Sequence, residues 1–230
     1  MIVRRHIHYL SCLALAALAC GCDRPAGVAQ EGGSGANRGQ QSSVQVANLP
    51  GVFVNGTEEE IVRAIQDGTN FAGTPDMKWF SILSDVWYER ETSHPNFKWS
   101  VLKGPRIKIE TASQLAQAYR NQLIPLNTDD LRKFALENYT SADNRVARPS
   151  VVLIGELGDA RDIDLLAQLA RSGAGGRHLF KESVTALSYM CSSKATEVIE
   201  ALLPEASADD QSFARALLSN REHVLQSWCH

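Results

Sequence analysis

Two segments near the C-terminus of this 230-residue chain match each other at a constant offset, which takes residue 154 to residue 187. Residues 154–170 read IGELGDARDIDLLAQLA, and residues 187–203 read LSYMCSSKATEVIEALL. In both segments, apolar residues at helical spacing lead to a short turn of small or polar residues, and a second apolar helical pattern follows. A helical pair of this kind cannot bury its apolar face alone, so copies must stack. The sequence therefore predicts an all-α fold that contains stacked helical hairpins.

The turn in the first copy carries two residues with defined conformational roles. Gly158 permits the left-handed backbone conformation that closes the first helix. Asp159 can accept hydrogen bonds from the free N–H groups at the start of the second helix. Cys191 and Ser192 occupy these positions in the second copy. A third copy, in residues 214–226, requires a shorter offset than the one that relates the first two, and it matches less well.

The stretch VLIGELGDARDIDLL resembles the short HEAT-like repeats of bacterial scaffolding proteins and phycobilin-lyase relatives. Their pattern runs roughly A-L-G-x-I-G-D-P-x-A-V-P-x-L, and it is matched at Ile154, Gly155, Leu157, Gly158, Asp159, Ile163 and Leu166. The resemblance covers residues 144–230 and implies an α-solenoid with an extended concave surface that binds another macromolecule. Residues near the starts of the second helices are expected to border that surface, although plain solvated surface is an equal alternative: Arg161, Asp162, Lys194 and Glu197.

The apolar spacing in residues 51–143 predicts a less regular helical region. It consists either of degenerate repeats or of a separate helical cap. Thr57 followed by Glu60 forms a capping-box pattern, and Gly68 ends the helix that follows. Further helices are predicted to begin at Pro75, Thr111 and Thr128.

The stretch between residues 92 and 110 fits either a short strand pair or a loop. Gly104 and Pro105 interrupt it, and Ile107 alternates with Ile109. The whole helical region 51–143 carries most of the aromatic residues of the chain. Their helical spacing favours a core, and the alternative is a ligand groove: Trp79, Phe80, Trp87, Tyr88, Phe97 and Trp99.

Residues 1–22 have the features of a secretory signal peptide. Arg4 and Arg5 precede an apolar run from Tyr9 to Ala19, which is broken only by Ser11 and is too short to span a bilayer. Small residues then lead to Cys20 and Cys22. A cysteine after small residues resembles the lipobox of bacterial lipoproteins, in which that cysteine receives the lipid. The resemblance implies an envelope protein facing the periplasm, anchored to the outer membrane if Cys20 is lipidated and to the inner membrane if Cys22 is.

The sequence thus divides into four parts. They are a signal peptide with lipobox at 1–21, a flexible linker rich in Gly, Ser and Gln at 22–50, the helical region at 51–143 and the HEAT-like repeats at 144–230.

Cys191 and Cys229 are the two cysteines in the body of the protein. In an oxidising compartment they can form a disulfide, provided that their Cα atoms come within about 7 Å. The alternative is that Cys191 is a small buried apolar residue and that Cys229 is a free thiol near the terminus.

Two further patterns have a chemical interpretation and a simpler structural one. His178 and Glu182, four positions apart, can begin a metal site on one helix face, but no third ligand is marked nearby and a solvated helix end is favoured. The glycine-rich stretch 172–177 suggests phosphate binding, yet it follows a helix and lacks the Gly-Lys-Ser/Thr ending, so a loop between repeats is favoured. We therefore predict no catalytic residues, no metal, no cofactor and no enzymatic activity.

Charge excludes one class of partner. Two of the 23 basic residues, Arg4 and Arg5, leave with the signal peptide, so the acidic residues, 26 in number, outweigh the basic ones that remain. Nucleic-acid binding needs a basic surface, so it is not expected. We expect a membrane-tethered binding or scaffold protein with a protein partner. The alternatives are an immunity-type inhibitor of a periplasmic toxin, an accessory subunit of an envelope assembly, and a hydrolase or metal enzyme.

Overall fold

The computed structural model describes residues 49–68 and 77–229. Within these ranges the fold is all-α, as predicted, and it contains no β-strand. The predicted signal peptide, Cys20, Cys22 and the predicted linker up to residue 48 lie outside the described residues. The first described helix begins at Leu49, inside the predicted linker. The helices are α1 (Leu49–Asn55), α2 (Glu58–Asp67), α3 (Met77–Trp87), α4 (Trp99–Leu102), α5 (Pro105–Arg120), α6 (Thr128–Asn138), α7 (Asn144–Leu157), α8 (Ile163–Ser172), α9 (Phe180–Tyr189), α10 (Ser193–Leu202) and α11 (Ala208–Trp228).

The helices pack in two layers. In the first layer, α5 packs on α7, α7 on α9, and α9 on α11. In the second layer, α6 packs against α7, α8 against α9, and α10 against both α8 and α9. Helix α5 also packs against α2 and α3, so the region before residue 144 and the region after it belong to one compact unit that begins at Leu49.

The offset between the two matching segments corresponds to two equivalent helical hairpins, α7–α8 and α9–α10. Ile154 and Leu187 are both fully buried, as are Leu166 and Ile199 in the second helices. Each pair therefore occupies the same place in the core of its hairpin. The predicted third copy is wrong, because residues 214–226 lie within the single continuous helix α11. Apolar spacing alone does not separate one long helix from two short ones.

The turn of the first hairpin has the predicted geometry. Gly158 has φ of 72°, in the left-handed region. The Asp159 side chain accepts a hydrogen bond from the backbone N–H of Arg161 at 2.9 Å, and it caps a short 3-10 turn that leads into α8. The first helix of the hairpin begins at Asn144, where the repeat region is predicted to start, with Asp143 as its N-cap and Pro149 inside the helix.

Most of residues 92–110 is helical, in α4 and at the start of α5, so the predictions of a strand pair and of a loop are both wrong there. Gly104, in an extended conformation, precedes Pro105 at the first position of α5, and the helix runs on to Arg120. Thr111 therefore lies inside α5 rather than at a helix start. Ile107 and Ile109 are both buried because α5 is packed on several sides, which removes the amphipathic pattern of a surface helix.

The N-terminal helices follow the predicted pattern more closely. The capping box of Thr57 and Glu60 is present, with Glu60 Oε2 accepting from the Thr57 backbone N–H at 2.8 Å. Pro75 lies outside the described residues, and the described part of the next helix begins at Met77. Four of the six clustered aromatic side chains are buried, which confirms the core interpretation for Trp79, Phe80, Trp87 and Trp99; Phe97 is half-buried and Tyr88 is exposed.

Basic side chains from neighbouring helices occupy the C-terminal ends of three helices. Lys108, on α5, donates to a carbonyl at the end of α3 at 2.5 Å. Arg120, at the end of α5, donates to the carbonyls of Glu156 on α7 at 3.0 Å and of Tyr189 on α9 at 2.6 Å. Arg221, on α11, also reaches the end of α9. The last carbonyls of a helix lack partners within the helix, and a cation there also interacts favourably with the negative end of the helix dipole.

Candidate functional site

A groove of about 550 Å³ lies among α7, α8, α9 and the start of α11. Buried Ala170, Phe180 and Leu202 give this groove apolar side chains. Eight ionisable residues also line it, and we call it the charged groove: Arg148, Arg171, His178, Lys181, Glu182, Glu205, Asp209 and Asp210.

Three ion pairs and one His–Asp hydrogen bond connect these ionisable residues, and each of the four joins two different structural elements. Two of them span neighbouring helices of the first layer: Arg148 on α7 pairs with Glu182 on α9, and Lys181 Nζ lies 2.5 Å from Asp209 Oδ2 on α11. The hydrogen bond that Lys181 donates to the Asp209 carboxylate raises the pKa of Lys181, so this lysine is protonated at neutral pH. The other two pairs are His178 with Asp210, at 2.9 Å, and Arg171 with Glu205, at 3.3 Å.

The repeat itself places two of the basic residues. Arg148 and Lys181 are related by the same offset as Ile154 and Leu187, so they are equivalent positions on α7 and α9. Each reaches an acidic residue on the next helix of the first layer, Glu182 or Asp209. The repeat thus places two of the eight ionisable residues of the charged groove.

The structure does not bring His178 and Glu182 together as the metal hypothesis requires. His178 precedes α9, which begins at Phe180, so the two residues do not share one face of a helix. Each has its own partner instead, with His178 on Asp210 and Glu182 on Arg148. Within residues 49–68 and 77–229, no group of three or more His, Cys, Asp or Glu side chains is arranged to hold a metal ion.

The glycine-rich stretch 172–177 connects α8 to α9, which confirms the interpretation as a loop between the hairpins. The Nε atom of Arg177 donates to the side chain of Asn144 at 2.5 Å and so ties the loop to the start of α7.

The residues expected to border a binding surface lie elsewhere, and none of them lines the charged groove. Arg161 pairs with Asp159, and Lys194 Nζ pairs with Asp164 at 2.8 Å. Asp162 is buried, and its carboxylate receives two hydrogen bonds from Arg132 at 2.6 and 2.8 Å. Glu197 is exposed on α10.

Acid is expected to weaken the Asp159 turn in a defined pH range. Hydrogen bonds from the Arg161 side chain and backbone lower the pKa of Asp159 from 3.8 to about 2. Because the folded pKa is the lower one, the stabilisation is complete above about pH 4 and is lost as the pH falls to about 2. Asp159→Asn keeps a capping side chain but removes the charge. Urea unfolding from pH 5 down to 2 should show the variant less stable at pH 5 and equal to the wild type near pH 2. A difference that stays constant across this range would contradict the assignment.

A second pocket, of about 510 Å³, lies beside the end of α5, and we call it the Arg120 pocket. Its apolar side chains include Leu123, Ile124 and Leu157, and Arg120 and Cys191 also line it. Cys191 is bonded to Cys229, with the two Cα atoms 5.5 Å apart. Cys191 is exposed, so the alternative of a buried apolar cysteine is wrong.

Glu156 forms a buried polar site that the sequence analysis missed. Its carboxylate accepts hydrogen bonds from Ser113 Oγ at 2.7 Å and Gln117 Nε2 at 3.0 Å, both on α5. Burial raises the pKa of Glu156. The one sequence signal is the spacing of Ser113, Gln117 and Arg120, which places three polar side chains on one face of α5.

Comparison of the chain with protein-family models, with curated proteins and with solved structures finds no match. None of the described helices has the length and apolar composition needed to cross a membrane. The charged groove and the cysteine pair are therefore the features of this chain that bear on its function.

Proposed function

We propose that this chain is an exported, lipid-anchored binding protein whose HEAT-like hairpins hold a polypeptide partner in the charged groove. The observation that carries the proposal is the repeated placement of Arg148 and Lys181 along the groove. Stacked helical repeats present equivalent positions of successive units on one continuous surface, and such surfaces bind other macromolecules.

The chemistry of the groove suits a polypeptide segment with both apolar and charged side chains. Phe180 and Leu202 offer apolar contact, and charges of both signs surround them. An apolar centre with a polar rim is the usual composition of a protein interface. Charged residues of a partner can replace one member of an ion pair within the groove, since Lys181 and Asp209 are both partly exposed to solvent.

The sequence and the cysteines support the proposed location. A signal peptide followed by Cys20 or Cys22 favours a lipoprotein, and a disulfide between Cys191 and Cys229 fits an oxidising compartment. The lipid would supply attachment to the membrane, and the tether would let the helical body meet its partner at a high local concentration. Intact-mass measurement of the mature N-terminus distinguishes the two candidate lipidation sites.

A pair of charge reversals tests the groove directly. Lys181→Glu places a negative charge beside Asp209 in the groove and should reduce capture of the partner at least tenfold. Lys194→Glu is the matched control, since Lys194 also pairs with an exposed aspartate but lies outside the groove. Both variants, tagged and extracted from membranes, serve as baits for affinity purification with mass spectrometry and with quantification against the wild type.

Equal loss with both variants, or no loss with Lys181→Glu, would refute the groove as the binding surface. The nature of the retained protein separates the remaining alternatives. A toxin encoded beside this chain would indicate an immunity-type inhibitor, and several membrane proteins together would indicate a subunit of an envelope assembly.

A further inference from the structure

Two guanidinium groups surround the turn that carries Cys191. From α5, the Arg120 Nη2 atom donates to the carbonyl of Tyr189 at 2.6 Å and lies 3.6 Å from the sulfur of Cys191. From α11, the Arg221 Nη2 atom donates to the carbonyls of Met190 at 2.9 Å and Ser192 at 2.8 Å, on either side of the cysteine.

Both arginines are cationic at neutral pH. Burial lowers the pKa of Arg120 to about 10, which is still well above neutrality, and the charge of Glu156 opposes this decrease. Burial also lowers the pKa of Arg221. Nearby cations stabilise a thiolate relative to a thiol, so a reduced Cys191 would be a stronger acid than an ordinary cysteine.

The other half of the disulfide has a different environment. Cys229 is the C-cap residue of α11, and its backbone N–H donates to the carbonyl of Leu225 at 2.9 Å. The C-terminal end of a helix carries a partial negative charge, which disfavours a thiolate. At the end of α9, by contrast, Arg120 and Arg221 already occupy the backbone carbonyls. The two sulfurs are therefore electrostatically unequal.

We propose that the Cys191–Cys229 disulfide is a thiol-exchange site of fixed polarity, in which Cys191 is the leaving group and its substrates are low-molecular-weight thiolates. A thiolate attacks Sγ of Cys229 and forms a new S–S bond there. The Cys191–Cys229 bond breaks, and its electron pair stays on Sγ of Cys191 as a thiolate beside Arg120. The attacking thiolate is the reductant, and the product is a mixed disulfide on Cys229. Exchange is faster when the leaving thiol has the lower pKa.

Cys229, the attacked residue, is half-buried at the end of α11 and so is partly open to a small thiolate. Cys191, the leaving group, is exposed and lines the Arg120 pocket. Exchange would release the covalent link between the turn after α9 and the end of α11. The hydrogen bonds of Arg221 to the carbonyls of that turn would persist, so we expect α11 to stay docked after exchange.

The regiochemistry of exchange in the wild-type protein is the first test. The purified full-length protein is incubated with reduced glutathione, quenched with iodoacetamide and analysed by peptide mapping. Glutathione is expected on Cys229 and the alkyl group on Cys191, in at least a tenfold excess over the reverse arrangement. Equal amounts of the two products, or a predominance of glutathione on Cys191, would overturn the proposal.

The acidity of the two thiols is the second test, and it uses two matched variants that lack the same disulfide. Cys229→Ser leaves Cys191 free, and Cys191→Ser leaves Cys229 free. The rate of alkylation by iodoacetamide is measured from pH 5 to 10. The midpoint for Cys191 should lie at least one pH unit below that for Cys229, which corresponds to tenfold more thiolate at a pH below both midpoints. Coincident midpoints would refute the polarity.

Arg120 can be tested in the Cys229→Ser background. Arg120→Gln should move the midpoint of Cys191 upwards, towards the ordinary cysteine value near 8.5. Circular dichroism shows whether this variant is folded, and the comparison of the two single-cysteine proteins decides the proposal in either case. A folded Arg120→Gln variant with an unchanged midpoint would show that Arg120 does not stabilise the thiolate.

Discussion

Replacing Gly155 with alanine is expected to destabilise the fold by about 3 kcal/mol, although alanine is the better helix former. Gly155 lies on α7 where it crosses α9. A Cβ atom at this position would lie 2.2 Å from the carbonyl oxygen of Ala186 and 2.3 Å from its Cα atom. These are backbone atoms, so no side-chain rotation can relieve the contact. The two helices would have to move apart, and the core between them would lose its close packing.

Gly158→Ala is the control for this substitution, because it lies one helical turn away and destabilises the fold for a different reason. Gly158 has positive φ, but a Cβ atom there would meet nothing within 4 Å. Only the conformational cost of a left-handed alanine applies, about 1 kcal/mol. Urea unfolding of both variants measures the difference. If Gly155→Ala is as mild as Gly158→Ala, then α7 and α9 are not packed as closely as the structure shows.

The second large effect is expected from Arg221→Met. The guanidinium of Arg221 is almost fully buried and donates to four carbonyls around the end of α9. They belong to Leu187 at 3.1 Å, Ser188 at 2.6 Å, Met190 at 2.9 Å and Ser192 at 2.8 Å. Methionine has similar length but no donor, so buried carbonyls lose their partners. We expect a loss of about 3 kcal/mol, the upper part of the range for charged hydrogen bonds.

Arg215→Met, on the exposed part of the same helix, controls for the removal of a positive charge from α11. It should change the free energy of unfolding by about 0.5 kcal/mol or less. Thermal or urea unfolding under oxidising conditions compares the two variants with the disulfide intact. Equal effects would mean that the net charge of α11 matters and that the carbonyl contacts do not.

The sequence predicts the parts of this fold that depend on local rules. The helix start at Thr57 and the turn at Gly158 and Asp159 follow from capping and backbone preferences within a few residues. The offset between the two matching segments also reveals the equivalence of the two hairpins, because both bury the same positions. The all-α class follows from helical spacing in the same way, and so does the burial of four of the six clustered aromatic residues.

Other parts depend on which helices meet, and a single sequence does not record that. Nothing around Arg221 or Lys108 indicates that each side chain serves the end of a distant helix. The equivalence of Arg148 and Lys181 can be read from the repeat, but their acidic partners lie on the next helix of the layer. The alternation of Ile107 and Ile109 suggested a strand because a helix buried on several sides has lost the amphipathic signal.

The contacts of Arg221 also determine when, during synthesis of the chain, the end of α9 can reach its final set of hydrogen bonds. Arg120, on the earlier helix α5, binds the carbonyl of Tyr189 at the end of α9, but Arg221, which binds four other carbonyls around that end, is made only with α11. Cys229, the covalent partner of the same turn, comes later still. Chains emerge from the ribosome N-terminus first, so the earlier helices can assemble while α11 is still being made. The carbonyls around the end of α9 therefore gain Arg221 as their partner only when α11 has been made, and a chain cut short before residue 221 would leave them without it.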